Sequence, residues 1–116
     1  MPIRISARVF DQLVSDALDE LPAELAKAMN NVVILVAERN PDEPTLLGLY
    51  EGIALTDRGA DYSGELPDAI SIYREAIADI CHTPEEVIEE VRITVLHEIA
   101  HHFGIDDQRL HELGWA

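Results

Sequence analysis

The chain has 116 residues, of which 47% are hydrophobic and 27% charged, as is ordinary for a globular protein with one modest core. Its 23 acidic residues against 8 lysines and arginines give a formal net charge of −15, which argues against nucleic acid or an anionic membrane as partner. The one cysteine, Cys81, excludes an internal disulfide, and no stretch is typical of a signal peptide or a membrane span. We therefore expect a single cytoplasmic domain over residues 1–116, as a monomer or weak oligomer.

The first two elements are predicted helices that carry no reactive group. Apolar residues recur at helical spacing from Phe10 to Leu21, behind Ser6 as the N-cap. Pro22 then starts a second short helix from Ala23 to Met29. We interpret both helices as scaffold.

Three segments in the middle of the chain predict strands. Val32 to Ala37 is a continuous apolar run, typical of a central strand covered on both faces. Leu46 to Leu55 predicts one or two further strands, interrupted at Gly48 and Gly52, where we expect a bend or a close backbone approach. Ala69 to Tyr73 alternates like a half-buried strand of the antiparallel type, and it is either a plain sheet strand or an edge strand that pairs with an extended peptide.

Two further segments flank the last predicted strand. Thr56 to Leu66 predicts a loop, whose Tyr62 we interpret as an ordinary exposed residue rather than a substrate contact. Glu75 to Cys81 predicts a helical turn, with Cys81 as a small core residue.

The clearest boundary in the sequence opens a long helix. Thr83 is an N-cap residue, Pro84 occupies the first helical position and Glu86 completes a capping box. We predict that the helix runs to Phe103 and ends at Gly104.

The end of this helix carries the motif HExxHxxGxxD. His97 and His101 lie four residues apart, so one helical turn presents both imidazoles to one metal ion, with Glu98 nearby. Gly104 lets the chain turn back so that Asp107 can offer a third ligand. Three protein ligands and an open position are typical of a catalytic zinc site.

Other polar residues compete for roles at this site. A final helix from Gln108 to Leu113 needs a cap, and either Asp106 or Asp107 can provide it. We assign ligation to Asp107, with His111 and Glu112 as fallback third ligands.

Three residues outside the ligand set have a predicted place as well. We interpret His102, which projects away from the ligand sector, as a packed and hydrogen-bonded residue. Glu90 faces either solvent or the cleft, where it could support a ligand imidazole, and His82 is a surface residue.

The motif and three other segments together resemble a known family. Leu46 to Gly52 (LLGLYEG), Leu66 to Asp68 with Ile70 to Arg74, and His97 to Asp107 with Leu110 are similar to the small bacterial zincin-like metallopeptidases of type 1. The resemblance covers about two thirds of the chain. It implies an α+β fold, a minimal zincin in which a small mixed sheet packs on helices, with the metal helix near the C-terminus.

The same resemblance implies a function. His97, His101 and Asp107 would be Zn²⁺ ligands, Glu98 the catalytic acid and base, and a peptide or protein the substrate. One departure is that metzincins place a methionine turn beneath the metal, whereas the methionines here are Met1 and Met29. The alternative is therefore a metal-stabilised binding or regulatory module without turnover. Deformylase-type hydrolysis is a weaker alternative, because the surroundings of Cys81 do not match its cysteine motif.

Overall fold

The computed structural model describes residues 3–59, 62 and 66–112. Its helices are α1 (Ala7–Asp19), α2 (Ala23–Ala28), α3 (Arg74–Asp79), α4 (Pro84–His102) and α5 (Asp107–Glu112), and its strands are β1 (Val32–Ala37), β2 (Gly48–Glu51) and β3 (Asp68–Tyr73). A short 3₁₀ turn covers Leu55–Asp57. All five predicted helical segments are confirmed, although the predicted end of the last one, Leu113, lies outside the described residues.

The three strands form one mixed sheet in the order β1-β3-β2. β3 pairs in parallel with β1, where Ile34 lies opposite Ile70, and antiparallel with β2, where Gly48 lies opposite Ile72. A small mixed sheet beside helices is the α+β architecture that the resemblance implied.

The positions of two strands differ from the prediction. β1 lies at an edge, and Val33 and Leu35 on its outer face are 40% and 49% exposed, so the prediction of a central strand covered on both faces is wrong. β3 is the central strand, so the option that it is an edge strand open to a peptide is wrong too. The physical reason is that strand order depends on long-range pairing. A continuous or an alternating apolar pattern indicates which side chains are suited to burial. It does not indicate whether the strand lies in the centre or at an edge of the sheet.

The core lies between the inner face of the sheet and the helices α1, α3 and α4. Its buried side chains are Phe10, Val14, Ala17, Ile70, Ile72, Ile77, Cys81, Val87, Val91, Val95 and Ile99. Cys81 is a core residue as predicted. Four members of this set come from α4, so burial of its apolar face fixes the rotation of the helix about its axis.

Both ends of α4 are held by local hydrogen bonds. The Thr83 hydroxyl accepts the Glu86 N–H at 3.1 Å, as the capping box predicts, and the Glu86 carboxylate accepts the His82 N–H at 2.7 Å. At the other end Gly104 has φ +84°, and the N–H groups of Gly104 and Ile105 each lie 2.9 Å from a carbonyl of the last turn. This left-handed ending returns the chain towards the helix. A Cβ at Gly104 would also collide with the Thr56 side chain.

No helix within the described residues combines the length and the apolar character needed to cross a membrane.

Candidate metal centre

The last two turns of α4 bring the two motif histidines together. The ring centroids of His97 and His101 are 4.7 Å apart, and both side chains are about one quarter exposed. With Glu98 they form a group whose potential ligand atoms all lie within 4.8 Å of one another.

The turn after the helix adds a carboxylate to this pair. Asp107 Oδ1 lies 3.1 Å from His97 Nε2 and 2.8 Å from His101 Nε2. Donor atoms around a tetrahedral zinc, each about 2.0–2.1 Å from the ion, are roughly 3.3 Å apart. The Asp107 oxygen therefore lies at nearly the separation that a shared ion requires from each of the two imidazole nitrogens.

Asp106 and Asp107, each a candidate for capping α5 or for binding the metal, have different contacts in the structure. Asp106 Oδ1 accepts the Arg109 N–H at 2.8 Å and so caps α5, which leaves the Asp107 carboxylate to face the imidazoles. The hydrogen bond from His101 lowers the pKa of Asp107, burial acts in the opposite direction, and the charges of both histidines add to the lowering. Of the fallback ligands, Glu112 pairs with Arg109 at 3.1 Å and His111 is exposed on α5.

Glu98 occupies a different position from the three convergent atoms. Its side chain is 9% exposed, and its Oε1 lies 3.2 Å from Nδ1 of His101, the ring nitrogen that does not contact Asp107. Burial raises the pKa of Glu98, while the imidazoles of His101 and His97 act in the opposite direction. A buried carboxylate beside the imidazoles, but not on their convergent nitrogens, is suited to proton transfer rather than to ligation.

The close approach of α4 to β2 depends on a glycine. A Cβ at Gly48 would lie 2.8 Å from Thr94 Cγ2 and 3.1 Å from Glu98 Cγ, so only glycine leaves these side chains in place. In the sequence Gly48 indicated only a bend or a close backbone approach. The structure identifies the neighbour as α4, the helix that carries the candidate metal centre.

A groove of about 400 Å³ opens beside the candidate metal centre. It runs between α4 and the segment that leads into β2, and it is lined by Glu43, Thr45, Leu46, Leu47, Gly48, Glu90, Ile93, Thr94, His97 and Glu98. Of the two alternatives for Glu90, the structure favours the cleft. Sequence reasoning did not assign the residues of Glu43 to Leu47 to the site, because nothing local indicates that this turn lies against α4.

His102 is buried on the other side of the helix, as predicted. Its Nε2 accepts the Asn30 N–H at 3.2 Å, and its Nδ1 lies 3.2 Å from Asp68 Oδ2. Burial lowers the pKa of His102 more than the Asp68 carboxylate raises it. Both ring nitrogens thus have internal partners, which is typical of a structural histidine.

Asp68 is the centre of a buried polar cluster that the sequence did not predict. It accepts hydrogen bonds from the Tyr50 hydroxyl, from the Ile53 N–H at 3.1 Å and from Arg58 Nη2 at 2.8 Å. Burial alone would raise the pKa of Asp68, but these donors outweigh it and hold that pKa below its usual value. One feature of the sequence could have indicated this cluster, because Tyr50 and Asp68 belong to two of the segments that resemble the family.

Tyr62 belongs to the surroundings of this cluster. Its hydroxyl accepts from Asn31 Nδ2 at 2.8 Å, and the Arg58 guanidinium lies 4.4 Å above its ring. The side chain is half-buried, so its interpretation as an ordinary exposed loop residue is wrong. The reason is that Arg58 and Asn31 contact it from two separate segments of the chain.

Comparison with known proteins relates the chain to a family and to a solved structure. A family model described as zincin-like metallopeptidase matches residues 29–115. A solved structure, a conserved hypothetical protein from Thermo thermophilus, is similar with a TM-score of 0.58 and 23% sequence identity over 94% of this chain and 97% of that chain. At this identity the second likeness concerns the fold. No curated protein matches the sequence.

Proposed function

Because the chain belongs to the zincin-like metallopeptidase family, we propose that it is a zinc-dependent peptidase. The ion would be held by His97, His101 and Asp107. Glu98 would act as general base and then as general acid. The family supports a metal-dependent, peptidase-type activity, and the arrangement of these four side chains supports the assignment of each role.

The observation that carries this proposal is the convergence of Asp107 Oδ1 with Nε2 of both His97 and His101 at 2.8–3.1 Å. Two imidazoles and one carboxylate are a donor set that zinc accepts, and such three-ligand sites retain an open position for water or substrate. Here the imidazoles are partly exposed and His97 lines the groove, so the open position would face the groove.

When bound, zinc would acidify a water molecule to a pKa of about 7 and polarise the substrate carbonyl. Glu98 would take the proton of the attacking water and later deliver it to the leaving amine. The imidazole of His101, 3.2 Å from Glu98 Oε1, would hold the carboxylate in place. Gly48 would allow Glu98 to lie at the floor of the groove.

An extended peptide is the proposed substrate. β2 pairs with β3 along one edge, and within the described residues its other edge has no strand partner. The segment leading into β2 lines the groove beside His97 and Glu98. A peptide could pair with this edge through main-chain hydrogen bonds, which hold a substrate without requiring a particular sequence.

The test is cleavage of a mixed peptide library, read by mass spectrometry, with zinc-loaded protein and with protein treated with a chelator. We expect chelator-sensitive cleavage that zinc restores. Glu98→Gln should bind one zinc per chain but cleave about 10²–10⁴ times more slowly. Glu89→Gln, the same change at the exposed Arg92 ion pair, is the control and should cleave normally.

Two outcomes would contradict the proposal. Full activity of Glu98→Gln would show that another group transfers the proton. Stoichiometric zinc binding by the wild type without any cleavage would support the metal-stabilised binding module instead.

A further inference from the structure

We propose that the groove beside the metal centre selects peptides with a lysine or arginine about three residues from the cleaved bond, and that Glu90 recognises the basic group with help from Glu43. This inference names a substrate class for the same site and so rests on the proposed peptidase function.

The groove and the candidate metal centre are continuous. His97 and Glu98 line one end of the groove, and Glu90 lines it two helical turns earlier on α4. A substrate whose carbonyl lies at His97 must therefore place a neighbouring side chain near Glu90 if it runs along the groove.

Two acidic residues of the groove, Glu43 and Glu90, lie outside the ion pairs found within the described residues. No lysine or arginine is among the lining residues, and within the described part of the chain neither Glu43 nor Glu90 has an ion-pair partner. By contrast Glu89, the next residue along α4, pairs with Arg92 at 3.0 Å on another side of the helix. Glu90 is half-buried, so its carboxylate is less screened by water than a fully exposed one.

The remaining wall suits the stem of a long basic side chain. Leu46, Leu47 and Ile93 are apolar and line the same groove as the carboxylates. Lysine and arginine pack their methylene groups on such surfaces while the charged end stays with a polar partner. The carboxylates of Glu43 and Glu90 would repel an acidic substrate side chain. The net charge of −15 further favours the approach of basic peptides.

Helix geometry sets the expected position of the basic residue. Glu90 precedes His97 by seven residues, which is about 10 Å along the helix axis. An extended peptide advances about 3.3 Å per residue, so this distance corresponds to about three residues. Thr94 and Ile93 line the interval and carry no charge, so the position next to the cleaved bond should show no charge preference.

The experiment measures binding, so that it does not depend on turnover. The zinc-loaded Glu98→Gln protein is titrated into fluorescein-labelled eight-residue alanine–leucine peptides in which one lysine is moved through every position. A matched set carries norleucine, which has the same alkyl stem without the charge. Fluorescence anisotropy gives the ratio of the two dissociation constants at each position, for Glu98→Gln alone and combined with Glu90→Gln or the control Glu89→Gln.

We expect the lysine peptide to bind at least about five-fold more tightly than its norleucine match at one or two adjacent positions. Glu90→Gln should bring the ratio close to one, Glu89→Gln should leave it unchanged, and 0.5 M salt should reduce it. A ratio near one at every position, no binding of any peptide, or equal losses with Glu89→Gln and Glu90→Gln would overturn the inference.

Cleavage by the wild type separates this inference from the proposed function. Chelator-sensitive cleavage without a preference for lysine or arginine would overturn the selectivity alone. A lysine preference in binding that depends on Glu90, without cleavage by the wild type, would support the selectivity and contradict the peptidase proposal.

Discussion

Two clusters of imidazole and carboxylate lie on different sides of the same two helical turns. His101 belongs to the partly exposed cluster with His97 and Asp107, whereas the next residue, His102, is fully buried beside Asp68. In the buried cluster each ring nitrogen of His102 has an internal partner. In the exposed cluster two ring nitrogens share one carboxylate oxygen next to a groove. A structural histidine thus differs from a candidate ligand in its burial and in whether its ring nitrogen shares a carboxylate oxygen with a second imidazole. Residue type alone does not distinguish them.

The largest expected effect tests whether the two histidines have separate roles. Replacement of His101 by Gln should weaken zinc binding by more than about 100-fold, since loss of a ligand should exceed the 10- to 100-fold loss seen for supporting residues. The free energy of unfolding without metal should fall by about 1 kcal/mol or less, because His101 is partly exposed and water can replace some of its hydrogen bonds. Zinc titration with a competing chelator and urea unfolding measure the two quantities.

His102→Gln should give the reverse pattern. It should lower the free energy of unfolding by about 1–3 kcal/mol, because buried hydrogen-bonding groups lose their partner. It should retain a full equivalent of zinc under saturating conditions. Loss of zinc in the folded His102→Gln protein, or retention of tight zinc binding in His101→Gln, would contradict the assignment of His101 as a ligand and His102 as a structural residue.

The second prediction concerns the ion pair in the buried cluster. Asp68→Asn removes the partner of Arg58, whose side chain is only 8% exposed, and leaves a buried positive charge. We expect a loss of about 3 kcal/mol in the free energy of unfolding, measured in urea. Glu75→Gln, at the exposed pair with Arg39, is the matched control and should cost less than about 1 kcal/mol. A cost for Asp68→Asn as small as that of the control would refute the assignment.

The pH dependence of the same variant follows from the lowered pKa of Asp68. At a pH below the ordinary aspartate pKa of about 4, the unfolded chain binds a proton that the folded one does not, so this stabilisation decreases as the pH falls. The difference in unfolding free energy between wild type and Asp68→Asn should be constant from pH 7 to 5 and shrink below about pH 4. A difference that starts to shrink near pH 6 would point to another group.

The smallest effect is expected at Asp106, and the adjacent Asp107 provides the contrast. Asp107→Ala should remove a ligand and weaken zinc binding as strongly as His101→Gln does. Asp106→Ala should remove only the cap of α5, worth about 1 kcal/mol, and weaken zinc binding by less than about tenfold. Equal losses in the two variants would show that Asp107 acts through the position of α5 and not as a ligand.

Elements defined by short-range signals could be predicted from the sequence. The cap at Thr83, the turn at Gly104 and the facing of His97, His101 and His102 all follow from spacing within one helix, and the structure has each of them. Metal ligation by these residues stays a prediction.

Features that depend on distant partners could not be predicted. Asp68 contacts Tyr50 and His102, which are 18 and 34 residues away, and no local pattern indicates which polar residues meet in the core. The order of the strands and the location of Glu43 beside α4 have the same origin. Asp106 and Asp107 are both able to cap α5, and only the path of the turn decides between them.

The central claim is that two imidazoles and one carboxylate from this turn bind one ion. X-ray absorption at the zinc edge of the loaded wild type, compared with Asp107→Ala and His102→Gln, tests it most directly. We predict one zinc per chain with two nitrogen ligands from imidazoles and oxygen ligands for the remainder, a spectrum unchanged in His102→Gln and an oxygen lost or replaced in Asp107→Ala. No stoichiometric zinc, or a spectrum that responds to His102→Gln and not to Asp107→Ala, would contradict the claim.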